Sequence, residues 1–207
     1  MEKRLLKVEA PYLSTERLCS LFRDYKSPLD KISYLAKNGD LIRVRRNLYL
    51  LGKDYQQAYS KEVLAGVIYG PSAISFEYAL SYYGMIPERV EIITSICPKR
   101  AKEFNTPVGI FSYRYIKENI YSIGLEYVQS ELGAFFIASK EKALCDLAYH
   151  QKIESEKKAL EYLIEDLRID EHYLKNLRLD LLTELKNHYR RLSIQNLVDG
   201  IIIAQSR

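Results

Sequence analysis

The chain has 207 residues, of which 47% are hydrophobic, with 9 glycines and 6 prolines. This composition is typical of one large or two small globular domains and excludes a disordered chain. No apolar run approaches the roughly 20 residues that cross a bilayer, and charges interrupt the first ten residues, so we expect a cytoplasmic protein without a membrane partner. The isolated cysteines and histidines predict no disulfide framework, metal site or cofactor. They are Cys19, Cys97, Cys145, His150, His172 and His188.

Positive charge is concentrated at the N-terminal end. Residues 1–54 contain 12 lysines and arginines against 7 acidic residues, a net charge of +5, whereas residues 55–207 contain 19 against 20. This asymmetry is typical of a small nucleic-acid-binding domain attached to a nearly neutral body. We therefore predict a basic domain over residues 1–54 and a second domain over residues 60–207.

Two short helices are predicted within the basic domain. Ser14 or Thr15 can cap the first, whose apolar residues follow helical spacing to about residue 25. The pair Ser27-Pro28 supplies the N-cap and the first residue of the second helix, which ends before Gly39. One side of this second helix is apolar, and the other is basic with one tyrosine.

A hairpin with arginines near its turn is predicted over residues 41–52. Two helices followed by a basic hairpin is the order of a winged helix-turn-helix, in which the second helix enters the major groove and the wing contacts the DNA backbone. A winged helix that makes only protein contacts is the alternative, but the arginine-rich turn favours DNA. The candidate DNA-binding residues are Lys26, Ser27, Lys31, Tyr34, Lys37, Asn38, Arg43, Arg45, Arg46 and Asn47.

The second domain is predicted to be α+β, with a small mixed sheet and a helical tail from about residue 150. Helices are expected over residues 61–69, 72–83 and 140–149, with Ser139 capping the last of these. Strands are expected over residues 90–96, 109–115, 124–128 and 134–138, which are rich in β-branched and aromatic side chains.

The common enzyme motifs are absent from the sequence, so we predict no catalytic residue. The strongest enzymatic alternative is a metal-dependent nuclease in which Glu77, Glu91 and Asp146 hold a divalent ion near Lys99. A stand-alone transcription factor that senses a small ligand is a third reading. Lys99, Arg100 and Lys102 are either a second nucleic-acid contact or a solvated loop, and the lack of an evident aromatic platform favours the loop.

Several segments, taken in order, resemble the AbiEi-type antitoxin regulators of toxin-antitoxin (abortive infection) systems. They are the predicted winged helix, SAISFEYALSYYG at residues 72–84, residues 94–100, GIFSY at 109–113 and IASKEKALCDL at 137–147. The resemblance covers about residues 10–150. It implies an antitoxin and transcriptional autorepressor that binds inverted repeats in its operator. It also implies a nucleotidyltransferase-like toxin as functional partner. The antitoxin would counter this toxin with or without forming a stable complex with it.

Overall fold

The structure, a computed structural model, describes residues 1–206, so Arg207, the last residue of the predicted second domain, lies outside the described residues. Those 206 residues form ten α-helices and two β-sheets, one of three strands and one of six. The predicted α+β class is confirmed at this level. No helix within them is long and apolar enough to span a membrane.

The N-terminal region contains two helices and a three-stranded antiparallel sheet with the strand order β1-β3-β2. Its elements are β1 (Leu13–Ser14), α1 (Thr15–Leu21), α2 (Pro28–Lys37), β2 (Leu41–Arg45) and β3 (Leu48–Leu51). The Ser14 hydroxyl accepts a hydrogen bond from the Arg17 amide, which caps α1 as the sequence predicts. Gly39 has a φ of +80°, a conformation that favours glycine and lets the chain turn from α2 into β2.

Helix α1 is about one turn shorter than predicted. The Arg4 guanidinium donates to the carbonyl of Leu21 at 3.0 Å, which satisfies a backbone acceptor at the end of the helix. Phe22 is fully buried, and the chain turns immediately after it. The connection between α1 and α2 therefore spans residues 22–27, because packing of Phe22 replaces the helical continuation that periodicity suggested.

The hairpin of β2 and β3 belongs to two hydrophobic clusters. Leu41, Tyr49 and Leu51 pack with α1 and α2 in the N-terminal cluster. Val44, Leu48 and Leu50 pack instead in the larger cluster of the remaining chain, and β2 lies against a strand of the larger sheet. One side of the hairpin thus packs in the N-terminal cluster, and the other side packs in the larger cluster.

The larger sheet is mixed, as predicted, with the strand order β6-β7-β5-β4-β9-β8. The pairs β5–β7 and β4–β9 are parallel, and the other three pairs are antiparallel. Its strands and the helices between them are α3 (Lys61–Ile68), β4 (Ala73–Ile74), α4 (Phe76–Tyr82), β5 (Ile93–Cys97), β6 (Lys102–Thr106), β7 (Gly109–Tyr115), α5 (Glu118–Tyr121), β8 (Leu125–Ser130), β9 (Gly133–Ala138) and α6 (Lys140–Ala148).

Three predictions for this region are wrong in part. The helix expected over residues 72–83 begins only at Phe76, because Ile74 pairs with Ser95 and Ile137 in the middle of the sheet. The strand expected from residue 90 begins at Ile93. Lys102 starts the edge strand β6 and does not lie in a loop; the polar sequence KEFNT gave no apolar alternation to reveal it.

The helical tail is confirmed. It consists of α7 (Glu156–Glu161), a short π-helical turn (Tyr162–Asp166), α8 (Glu171–Lys175), α9 (Leu179–Tyr189) and α10 (Leu192–Gln205). Helix α10 is central, since it packs against α6, α7, α8 and α9. The spacing predicts an apolar stripe of Leu197, Val198, Ile201 and Ile202. The first three are fully buried, whereas Ile202 is exposed.

A buried polar network joins the tail to the sheet. Lys142 and Asp146 of α6 are both almost fully buried, and the Lys142 Nζ lies 2.9 Å from the Asp146 Oδ1. The hydroxyl of Tyr189, from α9, accepts from Lys142 and donates to Asp146, while Ser75 donates to the other Asp146 oxygen at 2.6 Å. Burial and the negative charge of Asp146 raise the pKa of Tyr189, which keeps it a neutral donor.

A second ion pair lies at the start of α9. The amide and guanidinium of Arg178 donate to the carboxylate of Glu141, with the guanidinium contact at 3.0 Å, and Arg178 also reaches Glu126. Burial raises the pKa of Glu141, but the hydrogen bonds from Arg178 outweigh burial and leave that pKa below its usual value. Adjacent residues of α6 thus bind two different points of the tail.

Candidate nucleic-acid interface

Helix α2 has one buried and one exposed side. Ile32 and Leu35 are buried in the N-terminal cluster and fix the rotation of the helix. Spacing of three and four residues places a polar stripe on the opposite side. The exposed residues are Leu29, Asp30, Ser33, Tyr34, Lys37 and, at the C-cap, Asn38. Three of the predicted contact residues, Tyr34, Lys37 and Asn38, therefore share an accessible surface, and Ser33 lies among them.

Lys31 differs from its predicted role as an exposed group. Its side chain is only 18% exposed and forms an ion pair with Glu2 at 2.8 Å. Its ammonium group lies 5.0 Å from the ring centre of Tyr25 and 5.7 Å from that of Tyr34. Lys31 lowers the pKa of Glu2, so both groups are charged at neutral pH. The positive charge of Lys31 is thus already shared with a carboxylate.

The turn of the hairpin carries unpaired positive charge. Arg43, Arg45 and Arg46 are exposed, and within residues 1–206 none of them forms an ion pair. Asn47 has a φ of +64° at the turn, and its side chain is 3.3 Å from the hydroxyl of Thr15 at the start of α1. The hairpin turn is therefore positioned next to the helices.

The connection between α1 and α2 is also accessible. Lys26 and Ser27, both predicted contacts, are exposed. Ser27 is the N-cap of α2, but its hydroxyl makes no capping hydrogen bond in the helix. That hydroxyl is available to an external acceptor such as a phosphate oxygen, whereas Pro28, the first residue of α2, has no N–H to donate.

Lys99 and Lys102 lie against aromatic rings, contrary to the expectation of a plain solvated loop. The Lys99 ammonium is 5.7 Å from the ring centre of Tyr69, and that of Lys102 is 5.8 Å from the same ring and 5.0 Å from Phe104. The Tyr69 hydroxyl donates to the Arg100 carbonyl at 3.1 Å. None of the three basic residues has a carboxylate within ion-pair distance in the described part of the chain.

This basic cluster adjoins the hairpin. Strand β2 packs against β6, which begins with Lys102. The Arg45 guanidinium reaches the carbonyl of Val67 at 3.5 Å, at the end of α3 and two residues before Tyr69. The hairpin arginines and the cluster of Lys99, Arg100 and Lys102 therefore form neighbouring parts of one basic surface.

Sequence reasoning missed Tyr69 and Phe104 as supports of this surface. Tyr69 is distant from the three basic residues along the chain, and Phe104 lies with Lys102 in strand β6, which the sequence did not reveal. Ser33 was also missed, although its position between Asp30 and Lys37 on α2 would have identified it from helical spacing alone.

The carboxylates of the nuclease alternative are not assembled into a metal site. Asp146 is buried and bound to Lys142, Ser75 and Tyr189, whereas Glu77 and Glu91 line an open cavity of about 570 Å³. The Lys99 ammonium donates to the carbonyl of Gly70 at 2.5 Å. Over residues 1–206, no three histidine, cysteine or acidic side chains are placed to hold one metal ion.

Comparison of the chain with models of known protein families gives no match, and comparison with curated proteins gives none either.

Proposed function

We propose that residues 1–54 form a winged helix-turn-helix that binds double-stranded DNA and that the protein is a transcriptional autorepressor and antitoxin. The observation that carries the DNA-binding proposal is the set of exposed, unpaired arginines on the hairpin, next to the polar side of α2. Unpaired exposed cations attract phosphates and release counterions when they bind them. A hairpin that served only to close the sheet would not need them.

In this proposal α2 enters the major groove. Ser33, Tyr34 and Lys37 project from its exposed side, and Asn38 extends from its end. Asparagine can form two hydrogen bonds with the major-groove edge of an adenine, and lysine can donate to guanine. Arg43, Arg45 and Arg46 contact phosphates or the adjacent minor groove, so they contribute affinity and salt dependence more than sequence choice.

The neighbouring basic cluster extends this contact. Lys99 and Lys102 are held beside Tyr69, and β6 places them next to the hairpin. A duplex that rests on the hairpin can continue over the cluster, which adds phosphate contacts from the second domain. Two observations support a DNA contact by the second domain. The basic cluster lies next to the hairpin, and Lys99, Arg100 and Lys102 form no ion pair within residues 1–206.

The antitoxin half of the proposal depends on the resemblance to the AbiEi-type regulators. In this half, the protein counters a nucleotidyltransferase-like toxin without catalysis of its own. The placement of IASKEKALCDL supports a folding role for that segment, since its Glu141, Lys142 and Asp146 bind the tail or the sheet. The second domain is then the part that counters the toxin, while the N-terminal region represses the operon.

Binding of the full chain to its own upstream DNA tests the first half. Fluorescence anisotropy with that DNA and with a random duplex of equal length should show a preference of about a thousandfold or more for the upstream DNA. Equal affinity for the two duplexes would contradict the repressor proposal. Replacing Lys99, Arg100 and Lys102 by glutamine should reduce the salt slope of log affinity by about 3.

Co-expression tests the second half. If a nucleotidyltransferase-like gene adjoins this one, its induction should arrest growth, and expression of the present chain should restore growth. The Arg43→Gln, Arg45→Gln, Arg46→Gln variant is the control, because it should lose repression but still protect the cells. Unrelieved arrest with a folded, expressed protein would contradict the antitoxin proposal.

A further inference from the structure

Strand β8 forms a free edge of the larger sheet. It pairs with β9 on one side, and within residues 1–206 no strand pairs with its other side. Natural proteins usually protect such an edge with lysines, prolines or a bulge. The sequence LEYVQS of β8 contains neither lysine nor proline, and its register with β9 is unbroken from Leu125 to Ser130. The backbone of β8 is therefore open to another strand.

The strand at the opposite edge of the sheet is better protected. Strand β6 begins with Lys102 and Glu103, both exposed, and the hairpin strand β2 lies against it. A charged and partly covered edge strand resists pairing with another chain. Of the two edges, β8 is the one that can accept a further strand.

Two exposed aromatic side chains lie beside this free edge. Tyr127 of β8 and Phe136 of β9 are opposite each other in the register, with ring centres 5.4 Å apart, and they are 62% and 48% exposed. Adjacent exposed aromatic side chains are typical of protein interfaces. The only charged residue of β8, Glu126, lies on the other face of the strand, where Arg178 and Tyr83 donate to its carboxylate. The aromatic face of β8 is thus uncharged, which favours an uncharged strand as its partner.

The pairing of β8 with β9 determines which backbone groups point outward. The Ser139 amide donates at 2.8 Å to the carbonyl of Gly124, which continues the register of the two strands by one pair. In an antiparallel pair, residues alternate between bonding the neighbouring strand and pointing away from it. The amides and carbonyls of Leu125, Tyr127 and Gln129 therefore point away from β9. These three positions are symmetric about Tyr127.

We propose that β8 pairs antiparallel with β8 of a second copy of this chain, around a twofold axis at Tyr127. In this register Tyr127 lies opposite its own copy, and Leu125 lies opposite Gln129 of the second copy, so that about six backbone hydrogen bonds form. No like charges oppose each other, because Glu126 lies opposite Val128 of the second copy. The aromatic pairs of the two copies lie side by side on the same face. A twofold interface requires such self-complementarity, because one surface serves both copies.

Sedimentation equilibrium of the full chain over a roughly hundredfold range of concentration tests this interface. The average mass should rise with concentration from that of one chain toward twice that value. Tyr127→Lys should weaken dimerisation by about tenfold or more, because it places two like charges opposite each other on the axis. The matched control is Tyr115→Lys, since Tyr115 is 54% exposed but lies on β7, which is separated from β8 by three strands. The control should dimerise like the unmodified chain.

Two cysteine variants test the register. Tyr127→Cys places a thiol opposite its own copy, at a Cα separation of about 5.5 Å that a disulfide can span, so mild oxidation should link the two chains. Gln129→Cys is the control, because position 129 lies opposite Leu125 of the second copy and about 13 Å along the strands from its own copy. This variant should remain largely unlinked.

The mass of a single chain at every concentration would overturn the proposal and leave β8 open to a strand of another protein. A dimer that Tyr127→Lys does not weaken, or equal cross-linking of the two cysteine variants, would also overturn it, because another surface would then join the copies. Tyr127 and Tyr115 are exposed, so both lysine variants should keep the far-UV circular dichroism of the unmodified chain. These experiments contain no DNA, so their results are independent of the repressor proposal.

Discussion

The basic side chains of the hairpin and those that join α6 to the tail have opposite surroundings. Arg43, Arg45 and Arg46 are exposed and unpaired within residues 1–206. Lys142 is fully buried between Asp146 and Tyr189, and Arg178 binds Glu141 and Glu126. The same residue types thus hold the fold together in one region and are exposed and unpaired in the other. The presence or absence of an ion-pair partner, more than the charge itself, distinguishes the basic residues that stabilise the fold from those of the proposed interface.

The largest expected effect is on the buried network. Lys142→Met leaves Asp146 buried without its cation, and the free energy of unfolding should fall by about 3–5 kcal/mol. Urea denaturation measures this loss. Adding Asp146→Asn removes the stranded charge and keeps one acceptor oxygen in the network, so the double variant should be more stable than Lys142→Met alone. If the second substitution destabilises the protein further, this account of the network is wrong.

Two lysines of α2 allow a paired and an unpaired cation to be compared within the proposed interface. Lys37 is exposed and free of ion pairs in the described chain, so Lys37→Ala should weaken operator binding by about tenfold. Lys31→Ala should have a smaller effect on affinity, because Lys31 is already paired with Glu2. Anisotropy titrations of the two variants side by side measure the difference. A larger loss for Lys31→Ala would show that Lys31 leaves Glu2 to contact DNA.

The smallest effect concerns Arg178 and depends on pH. Because the hydrogen bonds from Arg178 hold the pKa of Glu141 below its usual value in the folded protein, this ion pair stabilises the fold at neutral pH. The contribution is lost as pH falls through the folded pKa. Arg178→Gln should lower the free energy of unfolding by about 1 kcal/mol at neutral pH, since Arg178 is half-exposed.

Denaturant titrations of both proteins at several pH values check this prediction. The difference between Arg178→Gln and the unmodified chain should shrink as the solution is acidified through the lowered pKa of Glu141. A difference that is the same at neutral and acidic pH would show that Arg178 stabilises the fold through packing and not through the charge of Glu141.

Much of the fold could be predicted from sequence where one local signal dominates. Pro28 and Gly39 set the limits of α2, and Ser139 caps α6 through the Lys142 amide. Strand β4 could not be predicted, because a two-residue strand in a buried run is decided by its neighbours in the sheet. The edge strand β6 has a single apolar residue, Phe104, and so lacks an apolar alternation.

The sequence could predict which residues of the candidate site are exposed, but not which distant residues they contact. The exposed positions of Tyr34, Lys37 and Asn38 follow from helical spacing. The ion pair of Lys31 with Glu2 joins residues 29 positions apart, and the contact of Lys102 with Tyr69 joins residues 33 positions apart. No local pattern reports such contacts, which depend on how the sheets and helices pack.

The most direct test of the central claim is the salt dependence of DNA affinity for two charge-matched variants. One carries Arg43→Gln, Arg45→Gln and Arg46→Gln in the hairpin, and the other carries Lys157→Gln, Lys175→Gln and Arg190→Gln in the tail. The slope of log affinity against log salt should become shallower by about 3 in the hairpin variant and stay unchanged in the tail variant. Equal slopes for the hairpin variant and the unmodified chain would contradict a DNA-binding role for the hairpin.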